Sequence, residues 1–278
     1  CLLIKMQDIL LNNEINLFFL INIIIFNFIV LIFFSLFSNA IKIYDLPDNK
    51  LKVHKTRINI FGGIIFYLNF LFFFINLNIS NSNFFYKLNF FDIFIFIATG
   101  SFIFFTGLYD DKYKLKSTTR IILLSFFLIV FLTLDKSWII LNIKSINLDG
   151  LYYIETPFAY IFTIFCILCF LNAFNMFDGI NGHIGTYTLI ILFSLLFLGS
   201  NFFMTISLII PCLVFLYFNF TNKTFLGDGG SYLLAFMISI LIINLNQLQA
   251  INVEAIVLLM LIPGLEIIRL TFERVVRG

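Results

Sequence analysis

Apolar runs of about 18 residues or more recur along most of the chain, separated by short polar junctions. A run of that length crosses the roughly 30 Å hydrocarbon core of a bilayer as a helix. Ile and Phe favour strands locally, yet the runs are continuous and too long for the alternating segments of about ten residues that build an outer-membrane barrel. The pattern therefore predicts an all-α fold, a polytopic membrane helical bundle with about nine transmembrane helices. They are expected over residues 15 to 38, 60 to 80, 88 to 109, 119 to 134, 156 to 174, 184 to 199, 201 to 219, 231 to 246 and 251 to 268. Trp138 and Tyr152-Tyr153 flank an external segment, 135 to 155, in which Leu148-Asp149-Gly150 reads as the turn of a short interfacial hairpin. Without internal repeats, residues 1–278 read as a single integral membrane domain.

Composition agrees: 61% hydrophobic residues, 12% charged residues and a mean hydropathy of +1.05 exclude a soluble globular domain. Of the 17 Lys and Arg residues, only Lys5, Lys87, Lys136 and Lys144 fall on one side of the expected bundle. By the positive-inside bias the other side is cytoplasmic, which suits anionic headgroups and substrates; nucleic acid is not indicated. Cys166 and Cys169 lie one helical turn apart in an apolar span, a packing position without the polar company of a redox or metal site. The chain starts at Cys1, with no basic region and small-residue cleavage site before the first run, and reads as a fragment at its N-terminus.

Few acidic residues enter the apolar runs, and four of them stand in glycine- and asparagine-containing junctions assigned to the cytoplasmic side. Asp110-Asp111 follows one apolar run, Asn172-Ala173-Phe174-Asn175-Met176-Phe177-Asp178-Gly179 another, and Gly227-Asp228-Gly229-Gly230-Ser231 precedes a third. Carboxylates brought together there can converge on a metal and a phosphate; singly, each also reads as a helix cap or turn. Glycines around Asp228 let backbone and ligand approach closely. Asn172, Asn175 and Asp178 recur every three residues, one face of a helix that continues so far. Lys116, Arg120 and Arg269 are candidate phosphate contacts or membrane-surface anchors, and His54, in a loop with four cations, a phosphate donor or a solvated side chain.

In this order the junctions resemble those of the polyprenyl-phosphate N-acetylhexosamine-1-phosphate transferases, glycosyltransferase family 4, which start cell-envelope glycan assembly on a lipid carrier. The resemblance runs from Lys52-Val53-His54-Lys55 and Phe61-Gly62-Gly63, through Gly107-Leu108-Tyr109-Asp110-Asp111 and Arg120, to Asn172–Gly182 and Phe225–Ser231. It implies transfer of a sugar 1-phosphate from a UDP-N-acetylhexosamine to undecaprenyl phosphate, with release of UMP, in the bacterial inner membrane. It also implies Mg²⁺, with Mn²⁺ as a substitute, and allows a homodimer. Asp228 is the first choice as metal ligand, with Asp178 beside it. Asp110 would orient or deprotonate the lipid phosphate and Asp111 support metal or substrate, with a covalent aspartyl route left open. Asn172 and Asn175 would line the nucleotide cleft.

Departures from the family pattern are Asn181 where a second aspartate is common, and His183 at a usually apolar place. Relatives continue past Gly278 into a histidine-containing loop and a last helix. Phe177 before Asp178 favours the branch that initiates O-antigen (lipopolysaccharide), teichoic-acid or capsule glycans over the enzyme using UDP-muramoyl-pentapeptide; N-acetylglucosamine and 6-deoxy sugars both remain open. A transporter or flippase of an anionic lipid or sugar phosphate would need polar groups in mid-span, where this chain has Phe, Ile and Leu. An inactive scaffold of a glycan-assembly complex is the third reading.

Overall fold

The computed structural model describes residues 13–40, 44–45, 58–79, 90–147 and 150–277. Nine α-helices occupy them: α1 Asn13–Ala40, α2 Gly62–Ile79, α3 Phe90–Tyr113, α4 Ser117–Leu134, α5 Thr156–Phe177, α6 His183–Phe197, α7 Phe202–Phe220, α8 Gly227–Gln247 and α9 Val253–Arg277. Each expected span coincides with one helix. Seven of these helices are long and apolar enough to cross a bilayer; the apolar stretches Gly62–Leu77 and His183–Phe197 are shorter. The chain is a multi-pass membrane protein.

Three helices at the acidic junctions run further than the hydropathy pattern indicates, as does α9, which continues to Arg277. Helix α3 continues to Tyr113 and so includes Asp110 and Asp111, α5 continues to Phe177, and α8 starts four residues early, at Gly227. The reason is local: a helix end that meets polar partners keeps its hydrogen bonds after the apolar run has ended. The acidic junctions are therefore helix termini rather than loops.

Helix α8 is the axis of the bundle. Its apolar window is 89% buried, against 6% for α9, so α8 packs on protein all round while α9 presents its side chains to lipid. It packs most extensively on α3, then on α5 and α2. On the α2 side the approach is backbone to backbone: a Cβ on Gly63 would lie 2.7 Å from the Gly230 nitrogen, so only glycine fits.

Two asparagine pairs join α1 to α2 inside the membrane. Asn27 Nδ2 donates to Asn69 Oδ1 at 2.7 Å and Asn69 Nδ2 donates back at 3.1 Å, while Asn22 Nδ2 donates to Asn76 Oδ1 at 2.9 Å. Such reciprocal amides satisfy each other where neither water nor lipid can.

At the end of the bundle that carries the acidic junctions, β1 (Tyr44–Asp45) pairs antiparallel with β2 (Ile58–Asn59). Thr224 ties β2 to the segment before α8. Its hydroxyl donates to Asn59 O at 2.9 Å and accepts from the Phe61 and Gly62 nitrogens, both at 2.9 Å. At the opposite end lies the expected hairpin, β3 (Asn142–Ser145) antiparallel to β4 (Gly150–Tyr153), with Ser145 opposite Gly150; turn residues 148–149 lie outside the described residues. Glu254, in the first turn of α9, holds this hairpin by accepting from Ser145 Oγ at 2.6 Å and from the Ile146 and Asn147 nitrogens at 3.0 and 3.2 Å.

Candidate active site

Three helix termini meet at one end of the bundle: the end of α3, the start of α4 and the start of α8. Lys114 takes a φ of 53° in the short link from α3 to α4, a left-handed conformation uncommon for a side-chain-bearing residue. The turn brings the Leu115 N–H to Asp110 Oδ1 at 2.7 Å. It also returns the chain so that Arg120, in the first turns of α4, places Nη1 2.8 Å from Asp110 Oδ2. The same nitrogen lies 4.0 Å from Asp228 Oδ2. One guanidinium thus faces two carboxyl groups from two other helices.

The three acidic side chains differ in what remains open. The Asp110 side chain is 5% exposed, with one oxygen on Leu115 N and the other on Arg120. Asp111 accepts from the Asp228 nitrogen at 3.1 Å through Oδ1 and from the Gly229 nitrogen at 3.4 Å through Oδ2. The Asp228 side chain is 29% exposed, more open than that of Asp110.

A second layer completes the cleft. Asn175 Nδ2, near the end of α5, donates to the Tyr232 hydroxyl on α8 at 2.7 Å. The Arg120 guanidinium carbon stands 5.9 Å from the Tyr232 ring centre, a cation over an aromatic face. Arg120 Nε is buried and has no hydrogen-bond partner among the described residues. An unsatisfied buried guanidinium N–H is costly, and a phosphate oxygen is the ligand best shaped to meet it.

The other expected site residues are distributed as follows. Asn172 donates Nδ2 to its own helix, at Leu168 O, 2.8 Å away. Asp178 is the C-cap of α5, with its N–H on Asn175 O at 3.3 Å. Lys116 is the exposed residue preceding α4. Arg269 is not among the groups brought to the carboxylates; it pairs with Glu266 and, at 2.6 Å, with Glu273 on an exposed face of α9. His54 lies outside the described residues. Asn181 donates to Asn222, and His183 packs at a tilt on Phe177 with ring centres 4.0 Å apart.

Tyr232 is the contributor that sequence reading missed. Its signal was present: it follows Asp228 by four residues, the spacing that puts two side chains on one helix face.

A divalent cation fits this donor set in one manner only. Among the described residues no three His, Cys, Asp or Glu side chains group to enclose an ion. Mg²⁺ does not require such a cage, because it binds through one or two carboxylates, keeps water and completes its shell with substrate phosphates. Asp228, whose side chain is partly exposed beside Arg120, would hold it.

Beside the cleft an apolar cavity of about 330 Å³ runs between α5, α8 and α9, from Ala173 near the asparagines to Ile143 on β3, with Cys166 and Cys169 in its wall. The two cysteines are packing residues beside apolar neighbours.

A comparison with curated proteins finds no match. The model of glycosyl transferase family 4 matches residues 93–246, more than half of the chain and the stretch that contains Asp110, Arg120, Asn175 and Asp228; the chain belongs to that family, and is a polyprenyl-phosphate sugar-1-phosphate transferase.

Proposed function

We propose that the chain transfers an N-acetylhexosamine 1-phosphate from a UDP-sugar to undecaprenyl phosphate, forming the undecaprenyl-diphospho-sugar and UMP. The observation that carries this reading is Arg120, set between Asp110 and Asp228 with a buried N–H that meets no acceptor among the described residues. An oxygen of the lipid phosphate attacks the phosphorus that bears the sugar. The bond from that phosphorus to the bridging oxygen breaks, and the bridging oxygen leaves on UMP.

Within this reading Asp110 and Arg120 act as a pair. The carboxylate fixes the guanidinium in one orientation, and the remaining N–H groups orient the lipid phosphate and offset its charge. Both Asp110 oxygens accept hydrogen bonds, which favours direct attack by the lipid phosphate over a covalent aspartyl route. A Mg²⁺ ion on Asp228 would neutralise diphosphate charge that otherwise repels the attacking phosphate. Asn175 and Tyr232 border the cleft where the nucleotide would lie, and the cavity between α5, α8 and α9 suits the hydrocarbon of the acceptor.

The Lys and Arg bias supports a cytoplasmic site in the bacterial inner membrane, and Phe177 supports the branch that initiates envelope polysaccharides such as O-antigen. The transporter reading loses ground because the asparagines inside the membrane are paired with each other rather than lining a path. The test is UMP release from UDP-N-acetylglucosamine and other UDP-N-acetylhexosamines with undecaprenyl phosphate, with and without Mg²⁺, beside Asp228→Asn. Release that requires metal and Asp228 supports the proposal; no release from any of these donors overturns it.

A further inference from the structure

We propose that Asp111 is a positioning residue, which caps the first turn of α8 from the end of α3 and thereby fixes where Asp228 presents its carboxylate. This rests on the reading that Asp228 holds the divalent cation.

The first N–H groups of any helix lack partners within that helix. In α8 no side chain of the N-cap residue supplies one. The acceptor comes instead from another helix, 117 residues earlier, where both Asp111 oxygens are directed at the Asp228 and Gly229 nitrogens. A carboxylate on helix N–H groups is a charge-assisted contact reinforced by the helix dipole. It acts on the backbone of the very residue whose side chain faces Arg120.

The backbones are set close enough for this contact to form. A Cβ on Gly107 would lie 2.5 Å from the carbonyl carbon and oxygen of Asp228 and from the Gly229 Cα. Glycine one turn before Asp111 therefore lets α3 reach α8, and Asp111 occupies the place this approach creates. With both oxygens used in this way, Asp111 has little left to offer a substrate, while Asp110 and the partly exposed Asp228 face Arg120. Adjacent residues at one helix end thus serve two tasks, one holding the guanidinium and the other holding the turn that carries the third carboxylate.

The test uses the full chain in nanodiscs as wild type, Asp111→Asn, Asp228→Asn and Gly107→Ala. Amide hydrogen exchange over residues 226–231 is measured on metal-free protein, and Mn²⁺ binding is titrated by electron paramagnetic resonance. Asp111→Asn replaces one acceptor oxygen by a donor. It is expected to speed exchange at Asp228 and Gly229 about tenfold and to weaken Mn²⁺ binding about tenfold, with lost turnover recovered as Mn²⁺ is raised. Gly107→Ala, which separates the backbones without touching a carboxylate, should give the same pair of changes. Asp228→Asn should lose Mn²⁺ binding while its amide exchange stays at the wild-type rate.

Unchanged exchange and unchanged Mn²⁺ affinity in Asp111→Asn, with turnover lost at every metal concentration, overturn the proposal and make Asp111 a participant in the chemistry. Equal Mn²⁺ binding by wild type and Asp228→Asn overturns the underlying reading of Asp228 instead, and the exchange rates then still decide whether Asp111 holds the turn.

Discussion

Arg120 Nη1 sits 2.8 Å from Asp110 Oδ2, across the left-handed turn at Lys114 that joins two membrane helices. The pair is local in sequence, yet it orients a guanidinium that also faces Asp228 from α8.

Arg120→Ala takes from the nearly buried Asp110 carboxylate its cationic partner and leaves it the Leu115 N–H and the neighbouring Asp228 carboxyl. Removing one member of a buried ion pair costs about 3–5 kcal/mol, and losing an oriented cation at a phosphate lowers rate by about 10²–10³-fold. We expect UMP release to fall by at least that factor and the melting temperature in detergent to drop. Arg120→Lys supplies charge at Asp110 without the further N–H groups of the planar fork, and should recover stability more than rate. Equal rates for wild type and Arg120→Lys would show that the fork geometry is not used.

Tyr232→Phe removes the hydroxyl that accepts from Asn175 Nδ2 at 2.7 Å. If the two side chains act as one unit at the nucleotide cleft, Tyr232→Phe and Asn175→Ala should each raise KM for the UDP-sugar. The double variant should then be little worse than either single one, a coupling of about 0.5–3 kcal/mol. Additive losses would separate the two residues.

The spans were legible because apolar runs of bilayer length have few other interpretations, and the acidic junctions because carboxylates are rare within those runs and these stand among glycines and asparagines. That α3 would include Asp111 and α8 begin at Gly227 was not legible, since the partners that prolong those helices come from distant segments. The asparagine pairs stayed hidden for another reason. Asn is so frequent in this sequence that Asn27 and Asn69 carry no mark of their own, and pairing between helices leaves no periodicity to read. Thr224 likewise looks like any loop threonine until β2 is laid beside it.

The Asn27–Asn69 pair gives a clean double-mutant cycle, because neither residue belongs to the cleft. Asn69→Leu leaves Asn27 without its reciprocal partner and should destabilise by about 0.6–2 kcal/mol, while Asn27→Leu with Asn69→Leu should restore much of the loss, since no amide is then left unpaired. Thermal unfolding in detergent of the three variants measures this, and UMP release should be retained in the double variant.

Gly63→Ala tests the approach of α2 to α8. Its new methyl carbon would stand 2.7 Å from the Gly230 nitrogen and 2.8 Å from Leu226 O, both backbone atoms that cannot turn away. Overpacking of this sort costs about 1–3 kcal/mol, so the melting temperature should fall. The strain falls two residues from Asp228, so UMP release should fall with it. A variant as stable as wild type would mean that α2 is free to back away from α8.

Glu254 offers the opposite case, a carboxylate far from the cleft with a structural task. One oxygen, Oε1, collects Ser145 Oγ and the Ile146 and Asn147 nitrogens, so the hairpin end is held to α9 by a single atom. Glu254→Ala should release that end and expose residues around 146 to proteolysis from the hairpin side of the membrane. Glu254→Gln keeps an acceptor at the same place and should protect the hairpin almost as well, with hydrogen bonds weakened from charge-assisted to neutral. Limited proteolysis of both variants in nanodiscs reads the difference. Because the cleft lies at the other end of α8, UMP release should change by less than about threefold in either variant, and a larger loss would show that the hairpin and the cleft communicate through α8.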